Sequence, residues 1–319
     1  MGTVARQWVT VHGALPGAVA DEVDSLARAA TDVDGTEPLS EQPVLRLRSA
    51  TDGVVHVLAR AADGPGLIGY AQLDLGPGPD GGPVGAELVV APHARRAGLG
   101  AALLARVTGL ATVPVRHDLA VWAHGDLPAA RALAASAGLV VVRELWQMRL
   151  DLDAHPVAGR PDLPADVQLR AFEPGHDEHA WLTLNARAFA GHPEQGRMTL
   201  ADLEAREHES WFDAAGLLLV ERAGTLIGSV WTKVPAPGSE GELYVVGVDP
   251  AEQGHGLGRA LTAVGVAHLA ARGVRTVVLY TEADNARAVR TYTRAGFERS
   301  AVDVMFGNRA DRAPMSETM

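Results

Sequence analysis

The 319-residue chain contains no cysteine, which excludes a disulfide framework, a thiolate metal site and a cysteine nucleophile. Any thiol chemistry must therefore belong to a ligand. A basic excess is also missing: 28 Lys and Arg stand against 39 Asp and Glu, for a net charge of −11. That balance argues against a phosphate-tracking surface, so neither DNA nor RNA is an expected partner. No apolar run approaches the ~20 residues of a membrane span. Met1 to Val19 carries Arg6 and His12 but no apolar core of signal-peptide length, and Arg6 breaks the myristoylation pattern. No membrane partner is expected, and the cytoplasm is the expected location. His-Glu-x-x-His and similar spacings are absent, so no metal is expected. What is present is a globular composition, 47% hydrophobic and 21% charged, long enough for about two domains.

Self-similarity at a fixed offset sets the organisation. Leu88-Val89-Val90-Ala91-Pro92, followed by Arg95-Arg96-Ala97-Gly98-Leu99-Gly100-Ala101, matches Val246-Gly247-Val248-Asp249-Pro250, followed by Gln253-Gly254-His255-Gly256-Leu257-Gly258-Arg259. The prolines and the glycines are each 158 residues apart, and Ala137-Gly138-Leu139 meets Ala295-Gly296-Phe297 at the same spacing. Three anchors in one register imply duplication of a whole domain. The expected division is 1–152, a linker at 153–166 interrupted by Pro156, Pro161 and Pro164, and 167–319. A long hairpin loop is expected at Gly76 to Pro83, between strand-like runs Leu67 to Leu75 and Val84 to Val90.

In the second half, Gly216 to Glu221, Leu226 to Lys233, Glu242 to Val248, Val274 to Tyr280 and Phe297 to Phe306 read as strands, with Ala223 and Gly224 turning the first hairpin. After Pro250 the pattern becomes helical, with Leu257, Leu261, Val264, Ala267 and Leu269 in a stripe ending near Gly273. A second helix spans Asn285 to Ala295. The fold class expected is α+β (α/β): two tandem domains, each a mixed, mostly antiparallel sheet flanked by helices.

The segment Gln253 to Arg259 places three glycines between a strand and a helix start. Unpaired amides at a helix N-terminus suit an anion, and glycine lets a phosphate approach closely. A glycine-rich turn with no ligand is the alternative. Here the chain resembles the GNAT superfamily of acetyl-CoA-dependent N-acetyltransferases, whose signature Gln/Arg-x-x-Gly-x-Gly/Ala is met by Gln253, Gly256 and Gly258 and by Arg95, Gly98 and Gly100. The resemblance implies acetyl-CoA as co-substrate. Its pyrophosphate would rest on Gln253 to Arg259 and its pantetheine arm along Val246, Gly247 and Val248, with Asn285, Ala286, Arg287, Ala288, Val289 and Arg290 lining it. A strand N–H would polarise the thioester carbonyl. Tyr292 would protonate the leaving thiolate, a phenol near pKa 10 facing a thiol near 8.5. A packed helix aromatic is the alternative for Tyr292. Subtracting 158 puts Ala134 at the position of Tyr292 and Leu127 at that of Asn285. The first half is thus expected to cradle a coenzyme through Leu88 to Val90 and Arg96 to Ala101 but to lack the acid.

A closer resemblance covers nearly the whole chain. Val33-Asp34-Gly35 with Glu41-Gln42, the run Ala188 to Gly196 containing Gly191-His192-Pro193-Glu194-Gln195, Trp231-Thr232-Lys233 and Glu242 to Pro250 look like the mycothiol synthase family of actinobacteria. That family acetylates the cysteine amine of cysteinyl-glucosaminyl-inositol. The resemblance assigns Glu41, Glu194, Lys233, Glu242 and Tyr280 to substrate contact, where charge-assisted hydrogen bonds orient a hydroxyl-rich amine. Glu242 would take the proton from an ammonium near pKa 8, and the amine would attack directly, without an acyl-enzyme. His255 reads equally as a phosphate contact or a solvent-facing loop residue. A monomer acting on a small molecule is expected. The rival readings are a GNAT enzyme for another amine (an aminoglycoside, a polyamine or a protein N-terminus) and a non-catalytic acyl-CoA sensor.

Overall fold

The computed structural model describes residues 6–49, 51–62, 64, 66–75, 84–111, 119–157, 163–191, 195–236, 238 and 240–308. The loop expected at 76–83 lies outside them, as do Glu194 and residues 158–162 of the expected linker. The chain folds as two compact units, residues 1–144 with 302–319, and residues 145–301.

Unit 1 runs β1 (Arg6–His12), α1 (Gly17–Asp34), α2 (Glu41–Arg46), β2 (Val54–Ala61), β3 (Leu67–Asp74), β4 (Val84–Val90), α3 (Leu99–Ala111), β5 (Leu119–Ala123) and α4 (Pro128–Ser136). Antiparallel pairing joins β1 through β4, and β4 pairs parallel with β5. Helix α1 buries Ala20, Val23, Leu26 and Ala30, the one-sided stripe that docks a helix on a sheet.

Unit 2 takes residues 145–151 of β6 (Val140–Asp151), then β7 (Gln168–Ala171), α5 (Glu178–Ala188), α6 (Leu200–Glu207), β8 (Leu217–Arg222), β9 (Thr225–Lys233), β10 (Gly241–Val248), α7 (Leu257–Ala271), β11 (Thr276–Glu282) and α8 (Ala286–Arg294). Ala223 (φ 49°) and Gly224 (φ 76°) are both left-handed, giving β8 and β9 the tight hairpin turn that matches sheet twist. Helix α7 lies close on the sheet because position 265 is glycine. A Cβ there would come within 2.5 Å of Leu243 Cδ2 and 2.7 Å of Val230 Cγ2.

Duplication is visible element by element. Helices α3 and α7 begin at 99 and 257, and α4 and α8 at 128 and 286, each pair 158 residues apart. Mixed sheets with helices on their faces make each unit α+β. The division into units differs from the 1–152 and 167–319 read from the sequence, and a strand exchange is the reason. Residues 145–151 of β6 pair antiparallel with β11 in unit 2, whereas β5 of unit 1 takes its antiparallel neighbour from β12 (Glu298–Gly307), at residues 304–306.

Candidate functional site

In unit 2 the parallel strands β10 and β11 pair over only three residues, 241–243 with 277–279. Beyond Leu243 they part, and the edge of β10 from Val245 to Val248 keeps its ladder with β9 alone. A bulge at Tyr244 falls where the strands separate, as expected of an extra residue that bends one strand. The bare edge offers unpaired N–H and C=O groups to an extended ligand with amides of its own.

The chain leaves this edge through the glycine loop. Gly254 and Gly256 both have φ 87°, a left-handed conformation that strongly favours glycine. Gly256 is the N-cap of α7 and supplies no side-chain acceptor, so the first amides of the helix are uncapped. A Cβ on Gly258 would meet nothing nearer than Val248 Cγ2 at 3.8 Å. Gln253 pins the loop from within, donating from Nε2 to the carbonyl of Val248 at 3.3 Å and accepting from Arg287 Nη1 at 2.7 Å. It thereby ties the end of β10 to the first turn of α8. Beside the start of α7 opens a cleft of about 700 Å³, whose lining includes Arg259, Arg294, His155 and His255 and, among the described residues, no carboxylate. Its cationic wall suits a polyanion in a protein of net charge −11. Uncapped amides, open glycine backbone and a bare strand edge fit a coenzyme with a pyrophosphate and an amide-bearing arm. Arg294 and His155 were not singled out in the sequence. They belong to no motif, and only the packing of α8 and the segment after β6 brings them to the cleft.

Cross-strand pairing sets Lys233 directly opposite Glu242. Leu243 and Leu279 point into the cluster under α7, so by strand alternation Glu242 and Tyr280 face the other side of the sheet, with Lys233. Tyr280 is 43% exposed, and its hydroxyl accepts from Gln147 Nε2 at 2.9 Å. The same face carries an aromatic cluster that sequence reading missed. Trp231 meets Trp181, Trp211, Phe212 and Tyr244 at centroid distances of 5.1 to 5.9 Å. Lys233, the only lysine of the chain, lies with Nζ 4.5 Å from the Trp211 ring centroid and 5.1 Å from that of Tyr244. The aromatics that make this cluster are scattered from α5 to β10, so no local motif announces it.

Tyr292 belongs to the opposite face, packed with the cluster under α7 and 6.0 Å from the Phe297 ring. Burial pushes its phenol up to about 12, so it holds its proton throughout the neutral range. Asn285 is the N-cap of α8, its Oδ1 accepting from the amide of Ala288 at 3.1 Å. Glu41 lies in unit 1, at the first residue of α2. His255 is exposed. Among the described residues no group of three His, Asp or Glu side chains could hold a metal, and no helix is long and apolar enough to cross a membrane.

Unit 1 repeats the frame but not the chemistry. Among the described residues its strands β4 and β5 also pair over three, 84–86 with 119–121. Arg95 plays the part of Gln253, donating from Nε to the Val90 carbonyl at 3.1 Å. Arg96 is left-handed, at φ 61°, where unit 2 has Gly254. Strand β4 has no bulge, Ala134 is buried at the position of Tyr292, and Leu127 caps α4 with no side-chain hydrogen bond. By register, Asp74 opposite Gly85 replaces Lys233 opposite Glu242.

Residues 179–297 match the acetyltransferase (GNAT) family model. Over 311 residues the chain is 59% identical to the mycothiol acetyltransferase of Cellulomonas flavigena, covering 93% of this chain and 88% of that one. With the mycothiol acetyltransferase of Sanguibacter keddieii it shares 53% identity over 93% of this chain and 95% of the other. Two solved structures share the fold across the full length. A GCN5-related N-acetyltransferase from Sphaerobacter thermophilus superposes with a TM-score of 0.66 at 26% identity, covering 94% and 95% of the two chains. A tandem GNAT protein from the clavulanic acid biosynthesis pathway gives 0.71 at 22%, covering 95% and 98%. On these matches the chain belongs to the mycothiol acetyltransferase family of GNAT-fold N-acetyltransferases.

Proposed function

We propose that the protein transfers the acetyl group of acetyl-CoA to the cysteine amine of cysteinyl-glucosaminyl-inositol, yielding mycothiol and CoA. The reading is supported by the relatives' name at 59% identity over nearly the whole chain. One observation carries it in the geometry: β10 and β11 part beside an uncapped glycine loop, and Glu242 and Lys233 pair on one face of the parted strands.

Bound acetyl-CoA supplies an activated thioester. The amides from Gln253 to Arg259 hold its pyrophosphate, the edge Val246 to Val248 takes its pantetheine arm, and residues 285–290 line it. Arg259, Arg294, His155 and His255 suit its outer phosphates. An N–H of the β10 edge polarises the thioester carbonyl, contributing more in a dry site than in water. Glu242 accepts the proton of the incoming ammonium, directly or through a water, and an α-amine near pKa 8 asks little of it. Lys233 and Tyr280 orient the hydroxyl-rich acceptor. Tyr292 donates toward the departing sulfur. Unit 1 keeps a loop able to cradle a second coenzyme through Leu88 to Val90 and Arg96 to Ala101, without an acid beside it.

The test is acetylation by the purified protein, followed by mass spectrometry and by release of CoA thiol. A single acetyl on the cysteine nitrogen of cysteinyl-glucosaminyl-inositol is the expected result. Turnover of an aminoglycoside, a polyamine or a peptide N-terminus without turnover of that substrate would replace the substrate and keep the chemistry. Acetyl-CoA binding with no acetylation of any amine would leave a sensor.

A further inference from the structure

Lys233 and Glu242 face each other at the mouth of the parted strands, but a lysine side chain has four rotatable bonds and no intrinsic preference for one position. What surrounds Lys233 removes that freedom. Its ammonium lies over two ring faces, Trp211 at 4.5 Å and Tyr244 at 5.1 Å, within the ~6 Å at which a ring quadrupole attracts a cation. The two rings are themselves fixed. They stand 5.3 Å apart at 57°, and both lean on fully buried Trp231. The Tyr244 hydroxyl accepts from Nε of Arg206 at 2.6 Å, and buried Arg206 is anchored in turn by donating from Nη1 to the Asp202 carbonyl at 2.8 Å.

Tyr244 is also the bulge residue of β10. The distortion that separates β10 from β11 thus delivers the second ring of the cage. Unit 1 serves as an internal comparison. It lacks the bulge, carries Gln72 where unit 2 has Trp231, and places Asp74 opposite Gly85 where unit 2 has Lys233 opposite Glu242. Bulge, aromatic support and lysine are absent together, which ties them to one task on this face.

We propose that Trp211 and Tyr244 are positioning residues that hold the Lys233 ammonium as a fixed donor for the hydroxyl groups of the acceptor, and so set acceptor specificity. The role rests on the acetyl-transfer reading given above. An ammonium held against two aromatic faces has its position, and with it the direction of its outward N–H, fixed. It can then receive a sugar or cyclitol oxygen without the ordering cost a mobile lysine would carry. Acceptors poor in hydroxyls would not use it.

A sole lysine makes the cage directly observable. Reductive ¹³C-methylation keeps the positive charge and labels only Lys233 and the chain's amino terminus. The Lys233 methyl resonance is expected to be displaced by ring currents in the wild-type protein, to move toward the position of an exposed lysine in Trp211→Leu, and to stay displaced in Trp211→Phe. In unlabelled protein, Trp211→Leu is expected to raise the KM for the hydroxyl-rich acceptor about 10-fold while the KM for acetyl-CoA and the response to a hydroxyl-poor amine stay put, with Trp211→Phe restoring most of the loss. A resonance unmoved by Trp211→Leu overturns the cage. A resonance that moves with no change in acceptor KM overturns the specificity role. If the wild-type protein acetylates a different amine, the kinetic arm is run on that amine. If it acetylates none, the transfer reading fails on its own, and the resonance still decides whether the rings hold the ammonium.

Discussion

A single phenol separates the two units chemically, and its surroundings state what it can do. Tyr292 packs against Phe297 under α7 with its pKa pushed up to about 12 by burial. A thiolate whose conjugate acid lies near 8.5 would not strip a proton from it in that environment. The phenol's contribution therefore begins as a hydrogen bond to the sulfur as charge develops, and full proton transfer requires that the filled site bring the two proton affinities together. Tyr292→Phe keeps the ring and its packing and removes only the donor. Calorimetry is expected to show acetyl-CoA affinity within a few-fold of wild type, with kcat down by about 100-fold or more. Unchanged kcat would move the acid elsewhere. The sequence exposed this residue through its place between Asn285 and Gly296, and exposed the deficiency of unit 1 through Ala134. It gave Asn285 a ligand-lining role, and in the folded chain that side chain also caps α8. Asparagine serves either purpose, so local pattern does not separate them.

At the scale of elements, strands and helices were legible wherever periodicity and turn chemistry agreed. Leu257–Ala271 and the Ala223-Gly224 hairpin are the clearest instances. Pairing was less legible, because β6 and β12 follow equivalent helices and either could close either sheet. The folded chain gives the choice an electrostatic mark. His124, just beyond β5, has Nδ1 3.1 Å from Asp303 of β12 and Nε2 3.5 Å from Glu87 of β4. Asp303 also accepts from the Gly125 amide at 2.8 Å, and Glu87 accepts from the amide and hydroxyl of Ser40 at the start of α2. Burial alone would lower the proton affinity of this imidazole, but the hydrogen bond to Asp303 and the nearby charge of Glu87 outweigh it and raise the pKa to about 10. With the folded value above the unfolded ~6.5, the stabilisation is complete below pH ~6.5 and fades as pH rises through about 10. Urea titrations of wild type and His124→Gln should accordingly differ most near pH 6 and converge toward pH 10. A difference that is constant across that range would mean the imidazole acts through packing, not charge.

Over the whole chain, repeats at a 158-residue offset predict two domains, and the chain divides into two compact units. The cut between them is another matter. Because β6 pairs with β11 over residues 145–151, Met148 and Leu150 are buried in the core of unit 2. Because β12 pairs with β5, Val304 and Phe306 are buried against Ala134 in unit 1. A cut at the proline-bearing linker therefore removes a core strand from each unit. Fully burying one such side chain is worth about 1.5–3 kcal/mol. Losing two of them, with the ladder hydrogen bonds that strand makes to its neighbour, consumes much of the ~5–15 kcal/mol a domain commands. Three fragments distinguish the alternatives. Residues 145–301, which hold every strand of unit 2, are expected to unfold in urea as one cooperative transition. Residues 153–319, which follow the apparent linker but lack β6, are expected to show no such transition or to aggregate, and residues 1–152 to behave likewise for want of β12. If 153–319 unfolded as cooperatively as 145–301, β6 would be an accessory to unit 2, and the boundary suggested by the prolines would be the physical one.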